Sequence, residues 1–230
     1  MANIRITSSG SLSLYWLRTS SDIKNLVTIL FVTKLQKGGV CIRVIGNLSL
    51  LPKDLCKMIA EVAMITRDNK KLILNCAFPY TSRDDITRAI EDIAKGVKRS
   101  DILPEDVDEH LITDCLYTCK SSNPDLLIRT SGETRLSDFL MWEIADTYLY
   151  FPDVLWPEFS LWHFLVPIFH YQRCFPDLQR NKITKPILRN SRVSMFLDKL
   201  YRGRDIMIEN MYLLRDTVVS RAKYKRQTIK

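Results

Sequence analysis

From about residue 38 onward, strand-length apolar runs alternate with helix-length amphipathic stretches, and few folds satisfy that pattern. KGGVCIRVIG reads as a buried strand rich in β-branched residues, closed by Gly46. LPKDLCKMIAEVAMITRD follows with helical periodicity, and Pro52 suits a first helical turn. KLILNCAF is a second strand, and SRDDITRAIEDIAKGV an amphipathic helix opened by Ser82 with acids in its first turn. LPEDVDEHLI predicts a shorter helix, PDLLIRT a third strand, SDFLMWEIAD a helix and TYLYF a fourth strand. PEFSLWHFLVPIFHYQ predicts a last helix, bent or interrupted at Pro167. The pattern implies an α/β fold, a mostly parallel central sheet flanked by helices.

Residues 1–37 fit the alternation poorly, and residues 176–230 lose it again apart from helical pieces around SMFLDKLY and ENMYLLRD. The expected division is a divergent segment at 1–37, a domain at 38–175 and a basic C-terminal extension at 176–230. That extension carries 14 Lys and Arg against 5 Asp and Glu, so the formal net charge of +8 resides there while the body is close to neutral. A basic extension attracts phosphates, in lipid head groups or nucleic acid, unless it is only a solvated appendage. NLVTILFVTKL is too short and too charged at its end to span a bilayer, and no secretory signal is present. The expected location is the cytosol or a membrane face open to it. Six scattered cysteines lack zinc spacing and read as reduced, mostly buried thiols.

Three segments carry candidate chemistry. In DLLIRTSGETRLSDF, Arg129 stands at the carboxyl end of a strand, where open parallel sheets bind ligands. Arg135 and Ser137 follow, with Ser137 placed to cap a helix whose N–H groups face the same space. Two guanidiniums and a helix start suit a phosphate. The bland alternative pairs Arg129 with Glu133 and leaves Ser137 as a cap only. In FPYTSRDD, Tyr80, Thr81, Ser82 and Arg83 leave the neighbouring strand, with Tyr80, Arg83 and Glu133 as further pocket candidates. The structural reading there has Ser82 capping the helix and Arg83 pairing with Asp84 or Asp85. In VLWPEF, Trp156 and Phe159 suit core packing more than ligand contact.

The segments VCIRVIGNLSLLP, FPYTSRDDI, DLLIRTSGETRLSDFLMWE and DVLWPEF, in that order, resemble the cis-prenyltransferases, the undecaprenyl and dehydrodolichyl diphosphate synthase family. The resemblance is strongest to the animal dehydrodolichyl branch and covers roughly residues 38–173. It implies condensation of isopentenyl diphosphate onto an allylic diphosphate such as farnesyl diphosphate, building a long cis-polyprenyl diphosphate for dolichol. By position, Arg129, Arg135 and Ser137 would hold the diphosphate of isopentenyl diphosphate. Magnesium is the implied cofactor, and the growing chain needs a tunnel walled partly by LCKMIAEVAMI.

The chain also departs from the family. MANIRITSSGSLSLYWLRTS lacks the Asp-Gly-Asn-Arg type motif whose aspartate binds magnesium, so no catalytic residue is identifiable and the metal ligands are unknown. The Phe-Ser-x-Glu-Asn type segment is also absent, and Tyr148 falls where bacterial relatives carry a glutamate ligand. A truncated chain or a non-catalytic scaffold retaining only the isopentenyl pocket is the alternative. With no Arg-x-Gly near the C-terminus, the resemblance implies a Nogo-B receptor-like accessory subunit. It further implies a peripheral position on the cytosolic face of the endoplasmic reticulum membrane, and no nucleic-acid partner.

Overall fold

The computed structural model describes residues 3–6, 11–15, 37–119, 121–181 and 189–227, with side chains placed for 37–119, 121–178 and 189–213. NLVTILFVTKL lies outside the described residues. Continuous apolar runs form β3 (Val40–Ile45), β4 (Leu72–Ala77) and β5 (Leu126–Arg129), and β6 (Tyr148–Tyr150) lies beside β5. Two further strands come from the segment that fitted the alternation poorly: β1 (Asn3–Ile6) and β2 (Ser11–Tyr15). The sheet order is β3-β4-β2-β1-β5-β6. All pairings are parallel except those of β1, which runs antiparallel to both β2 and β5. The carboxyl ends of the other strands therefore share one side of the sheet.

The helices follow from periodicity. α1 (Lys53–Thr66) buries Leu55, Cys56, Ile59, Ala60 and Val62 along one stripe. Its C-terminal end also finishes the outer edge of β3. Ile42 N–H donates to Thr66 Oγ1 at 3.0 Å, and Asn69 Nδ2 donates to the Val40 carbonyl at 2.8 Å. α2 (Ser82–Lys98) buries Ser82, Asp85, Ala89, Ile93 and Gly96 at three- and four-residue spacing. The expected helix over 103–112 resolves into a tight turn at Pro104–Asp106 and a short α3 (Glu109–Cys115), capped by Asp108. α4 (Leu161–Asn181) contains Pro167 and Pro176 without ending at either.

The basic extension holds one long helix, α5 (Ser191–Gln227), rather than two short pieces. Its Val193, Phe196 and Leu197 are buried against Ala89 and Ile93 of α2 and Leu111 and Cys115 of α3. A Cβ at Gly96 would lie 2.5 Å from the Phe196 ring, so that glycine permits the close approach of α5. Further along, Met211 packs beside Leu55 and Ile59 of α1. The cysteines described are free thiols. Burial pushes those of Cys76 and Cys115 up to about 12, which leaves them unreactive.

Phe196→Ala removes a buried ring that joins α5 to the body. It is expected to lower unfolding stability by about 3–5 kcal/mol, measured by urea denaturation. A loss within error would place α5 outside the cooperative unit.

Candidate active site

Arg129 ends β5 and is only 3% exposed. A buried guanidinium is costly to desolvate and needs polar partners. Its Nη1 donates to Ser137 Oγ at 3.1 Å. Burial lowers its pKa, the nearby charge of Arg135 acts in the same direction, and Glu133 opposes them. It stays a cation, because arginine titrates far above physiological pH. Arg135 is two-thirds exposed and pairs with Glu133 at 2.9 Å, between Nη2 and Oε2. Arg129, Arg135 and Glu133 thus stand together at the carboxyl edge of the sheet.

The turn carrying these residues is held from both sides. Ser131 N–H donates to the Val154 carbonyl and Gly132 N–H to the Pro152 carbonyl. Gly132 has φ +65°, a left-handed backbone that favours glycine, and a Cβ there would fall 2.6 Å from Asp153 Oδ1. Ser131, Ser137, Asp138 and Leu140 also have positive φ. Each such non-glycine residue costs about 1–3 kcal/mol and persists only where its surroundings dictate it.

This conformation corrects the expected helix at SDFLMWEIAD. Residues 137–146 form consecutive turns, so Ser137 caps no helix and contributes its hydroxyl alone. The reason is tertiary. Phe139, Leu140 and Ile144 bury against Ile45 of β3 and Leu127 of β5. Met141 N–H donates to Ser82 Oγ at 2.7 Å, and Ser82 N–H donates to the Asp138 carbonyl at 2.8 Å. These bonds take backbone groups that a helix would have used internally.

Ser82 therefore does not cap α2. Thr81 holds that place, accepting from Asp84 N–H at 3.3 Å. Arg83 is highly exposed and lies 3.6 Å from Asp138, not beside Asp84 or Asp85 as expected. Tyr80 packs edge-on to Phe139 and Tyr117, with centroids 5.9 Å and 6.4 Å away, as a wall beneath the turn. Trp156 and Phe159 stack and pack near Leu126 and Ile128 of β5, as the core reading had it.

Two buried carboxylates escaped the sequence reading. Asp85 Oδ1 accepts from Tyr117 N–H at 2.7 Å, and Glu143 Oε1 accepts from the Thr118 hydroxyl at 2.6 Å. Together they tie α2, the 117–118 turn and the 137–146 segment. Burial pushes Asp85 up to about 7; the Glu143 charge adds to this, while Tyr117 N–H, Tyr80 and Arg204 oppose it. Periodicity held the signal, since Asp85 lies on the buried stripe with Ser82 and Ala89. Among the described residues no three potential metal ligands stand together, and Glu133 and Asp138 pair with Arg135 and Arg83. These residues do not by themselves fit a magnesium site.

The prenyltransferase family described as "Putative undecaprenyl diphosphate synthase" matches residues 12–177, so all of β2 but its first residue falls within a match that the motifs alone placed from residue 38. The chain is 48% identical over 147 residues to the dehydrodolichyl diphosphate synthase complex subunit DHDDS of Homo sapiens, covering 64% of this chain and 44% of that protein. It is 42% identical over 164 residues to an isoprenyl transferase of Geobacillus kaustophilus, covering 69% and 64%. The structure of lavandulyl diphosphate synthase from Lavandula x intermedia in complex with dimethylallyl diphosphate superposes with a TM-score of 0.66 at 28% identity, covering 71% of this chain and 76% of that one. The chain spans less than half the length of the human relative it matches.

Asp85 has a folded-state pKa above its unfolded value, so its contribution to stability is full below about pH 4 and is lost as pH rises through about 7. Asp85→Asn keeps the acceptor for Tyr117 and removes this titration. Relative to wild type, the variant should gain about 2–3 kcal/mol between pH 5 and pH 8, read from denaturant unfolding at both. Parallel pH dependences for the two proteins would contradict the assignment.

Proposed function

The chain belongs to the undecaprenyl diphosphate synthase family of prenyltransferases, and on that premise we propose that it condenses isopentenyl diphosphate onto an allylic diphosphate to build a cis-polyprenyl diphosphate. The observation that carries the proposal is the buried Arg129 bonded to Ser137, with Arg135 beside it. A buried guanidinium, a second exposed one and a hydroxyl suit a diphosphate whose organic part extends away from the sheet edge. Arg129 positions the phosphate, and Arg135 exchanges its contact with Glu133 for the incoming anion.

Held there, the isopentenyl double bond attacks the allylic carbon as the carbon–oxygen bond to the allylic diphosphate breaks. The new carbon–carbon bond forms and a proton is lost, so the product is one isoprene unit longer. Magnesium, brought in on the diphosphates, would neutralise the leaving group. The described residues supply no complete site for it. The prenyl chain would pass along α1, whose Ile59, Ala63 and Met64 line a cavity.

The human relative is named as a complex subunit, and an accessory subunit of the Nogo-B receptor type is the proposed partner here. Its support is the outer face of α4, where Leu161, Trp162 and Phe169 are 68%, 75% and 62% exposed. Contiguous exposed apolar side chains of this size mark an interaction surface. No described helix is long and apolar enough to cross a membrane. The proposed site of action is the cytosolic face of the endoplasmic reticulum membrane, where the basic extension would meet anionic lipid.

Arg135→Ala is expected to weaken isopentenyl diphosphate binding by about 1.5–3 kcal/mol, roughly ten- to a hundredfold. Ser137→Ala should cost less, about 0.5–1.5 kcal/mol. Both are read by calorimetric titration, and unchanged affinity in Arg135→Ala would sink the site. Incubating the chain with farnesyl diphosphate, labelled isopentenyl diphosphate and magnesium, with and without the accessory subunit, tests turnover. Binding without product in both conditions would favour the scaffold alternative.

A further inference from the structure

α2 and α5 meet in a groove of about 280 Å³ at the C-terminal end of α2. Arg88 and Lys95 line it from α2, Arg99 from just past the end of that helix, and Lys199 and Arg204 from α5. Two carboxylates, Asp92 and Asp101, stand among them, and both are engaged. Asp101 accepts from Lys199 Nζ at 3.0 Å, and Asp92 lies 3.3 Å from Arg204. Arg88 donates to the Tyr117 hydroxyl, and Arg99 makes no ion pair among the described residues. Even with Glu91, which pairs with Lys95 at 3.3 Å from outside the lining, cations outnumber carboxylates. Capping does not use these cations. The last carbonyls of α2 accept from the chain's own turn, Lys95 from Arg99 N–H, Val97 from Ser100 N–H and Gly96 from Asp101 N–H.

The floor of the groove is apolar, with Phe196 and Leu200, and Gly203 leaves it open, since a Cβ there would meet nothing within 4 Å. Glycine weakens a helix interior, and no packing contact calls for one at this point of α5. Beside the groove, the face of α5 turned away from the body carries Met195, Lys199, Arg202, Ile206 and Leu213 at spacings of three, four and seven residues. Met195, Ile206 and Leu213 are 62%, 47% and 57% exposed, and Asp198 is exposed at the margin of the stripe. The core of a protein interface is depleted in lysine, and a nucleic acid would leave the three apolar side chains in water. A bilayer surface suits both kinds of residue. Apolar side chains enter the acyl boundary, while Lys and Arg stems run along it with their charges at the phosphates.

We propose that the α2–α5 groove holds the phosphate of an anionic phospholipid while Met195, Ile206 and Leu213 enter the adjoining acyl layer, so that α5 lies along the membrane on its outer face. Sites for whole small molecules start at about 300 Å³, so a headgroup fits the groove and the acyl chains stay in the bilayer. The assignment rests on the membrane position given above and places it on particular side chains. The site is separate from the diphosphate pocket. α2 begins at Ser82, bonded to the turn that carries Ser137, and Arg99 lies past its other end, roughly 25 Å along the helix.

The test is flotation of the full chain with vesicles of phosphatidylcholine, alone or mixed with phosphatidylserine. Wild type should float with the mixed vesicles and stay behind with phosphatidylcholine alone. Arg99→Glu should weaken binding to the mixed vesicles by about thirtyfold, the effect of two charge units at the lipid surface. Ile206→Ser should weaken it by about tenfold through lost apolar burial. Both side chains are exposed, so the fold is kept, and unchanged isopentenyl diphosphate binding would report that. Lys53→Glu, at the start of α1 and so at the opposite end of the sheet, changes the net charge equally and should bind as wild type does. A loss in Lys53→Glu equal to that in Arg99→Glu means diffuse charge and overturns the site. So does normal flotation of Ile206→Ser, or binding of soluble glycerophosphoserine as tight as that of vesicles, since each points to an anion without a bilayer. Equal flotation of wild type and every variant overturns the site and leaves the membrane position standing. Wild type that floats with neither vesicle overturns the membrane position, and the site with it.

Discussion

Ser82 holds the site together through two hydrogen bonds that run in opposite directions. Its N–H reaches the Asp138 carbonyl and its hydroxyl receives the Met141 N–H, so the first turn of α2 and the 137–141 turn lock face to face. Neither group can move without leaving a buried polar atom unsatisfied, a cost of about 1–3 kcal/mol. That lock holds the backbone around Ser137 in its left-handed form and keeps the hydroxyl in reach of Arg129. The buried carboxylates of Asp85 and Glu143 brace the same joint from beneath.

Much of the fold was legible because its strands are uninterrupted apolar runs and its main helices keep a clean stripe. β3, β4, β5 and α1 fall within the stretches their patterns predict, and α2 runs one residue past its own. β2 was missed because SLSLY alternates polar and apolar residues instead of forming a run, inside a stretch without other regular signals. α5 was underread because its high charge hides a short apolar face of Val193, Phe196, Leu197 and Leu200. Both errors come from weighing composition above spacing.

The clustering around Arg129 was legible in the sequence and its local geometry was misread. Arg129, Arg135 and Glu133 do come together, but Ser137 reached the arginine through a turn and not through a helix start. SDFLMWEIAD has helical periodicity because Phe139, Leu140 and Ile144 must face one core, and a set of turns meets that need equally well when Ser82 supplies the missing bonds. Asp85 was hidden for the opposite reason. An acid in a first helical turn usually faces solvent and the helix dipole, and only its place on the buried stripe distinguishes it from Asp84.

The reversed strand has a consequence for how the molecule is assembled in time. β3 and β4 form one half of the sheet and β5 and β6 the other, and among the described strands β2 and β1 bridge them. β1 lies at the start of the chain, yet its partner β5 is made more than a hundred residues later. Closing so long a loop is slow, since non-local pairing must absorb the entropy before any contact forms. The β1–β2 ribbon is thus made well before the strand it must join, and is among the last segments to find its seat. Until it does, the two half-sheets keep open inner edges, which are templates for pairing with other chains.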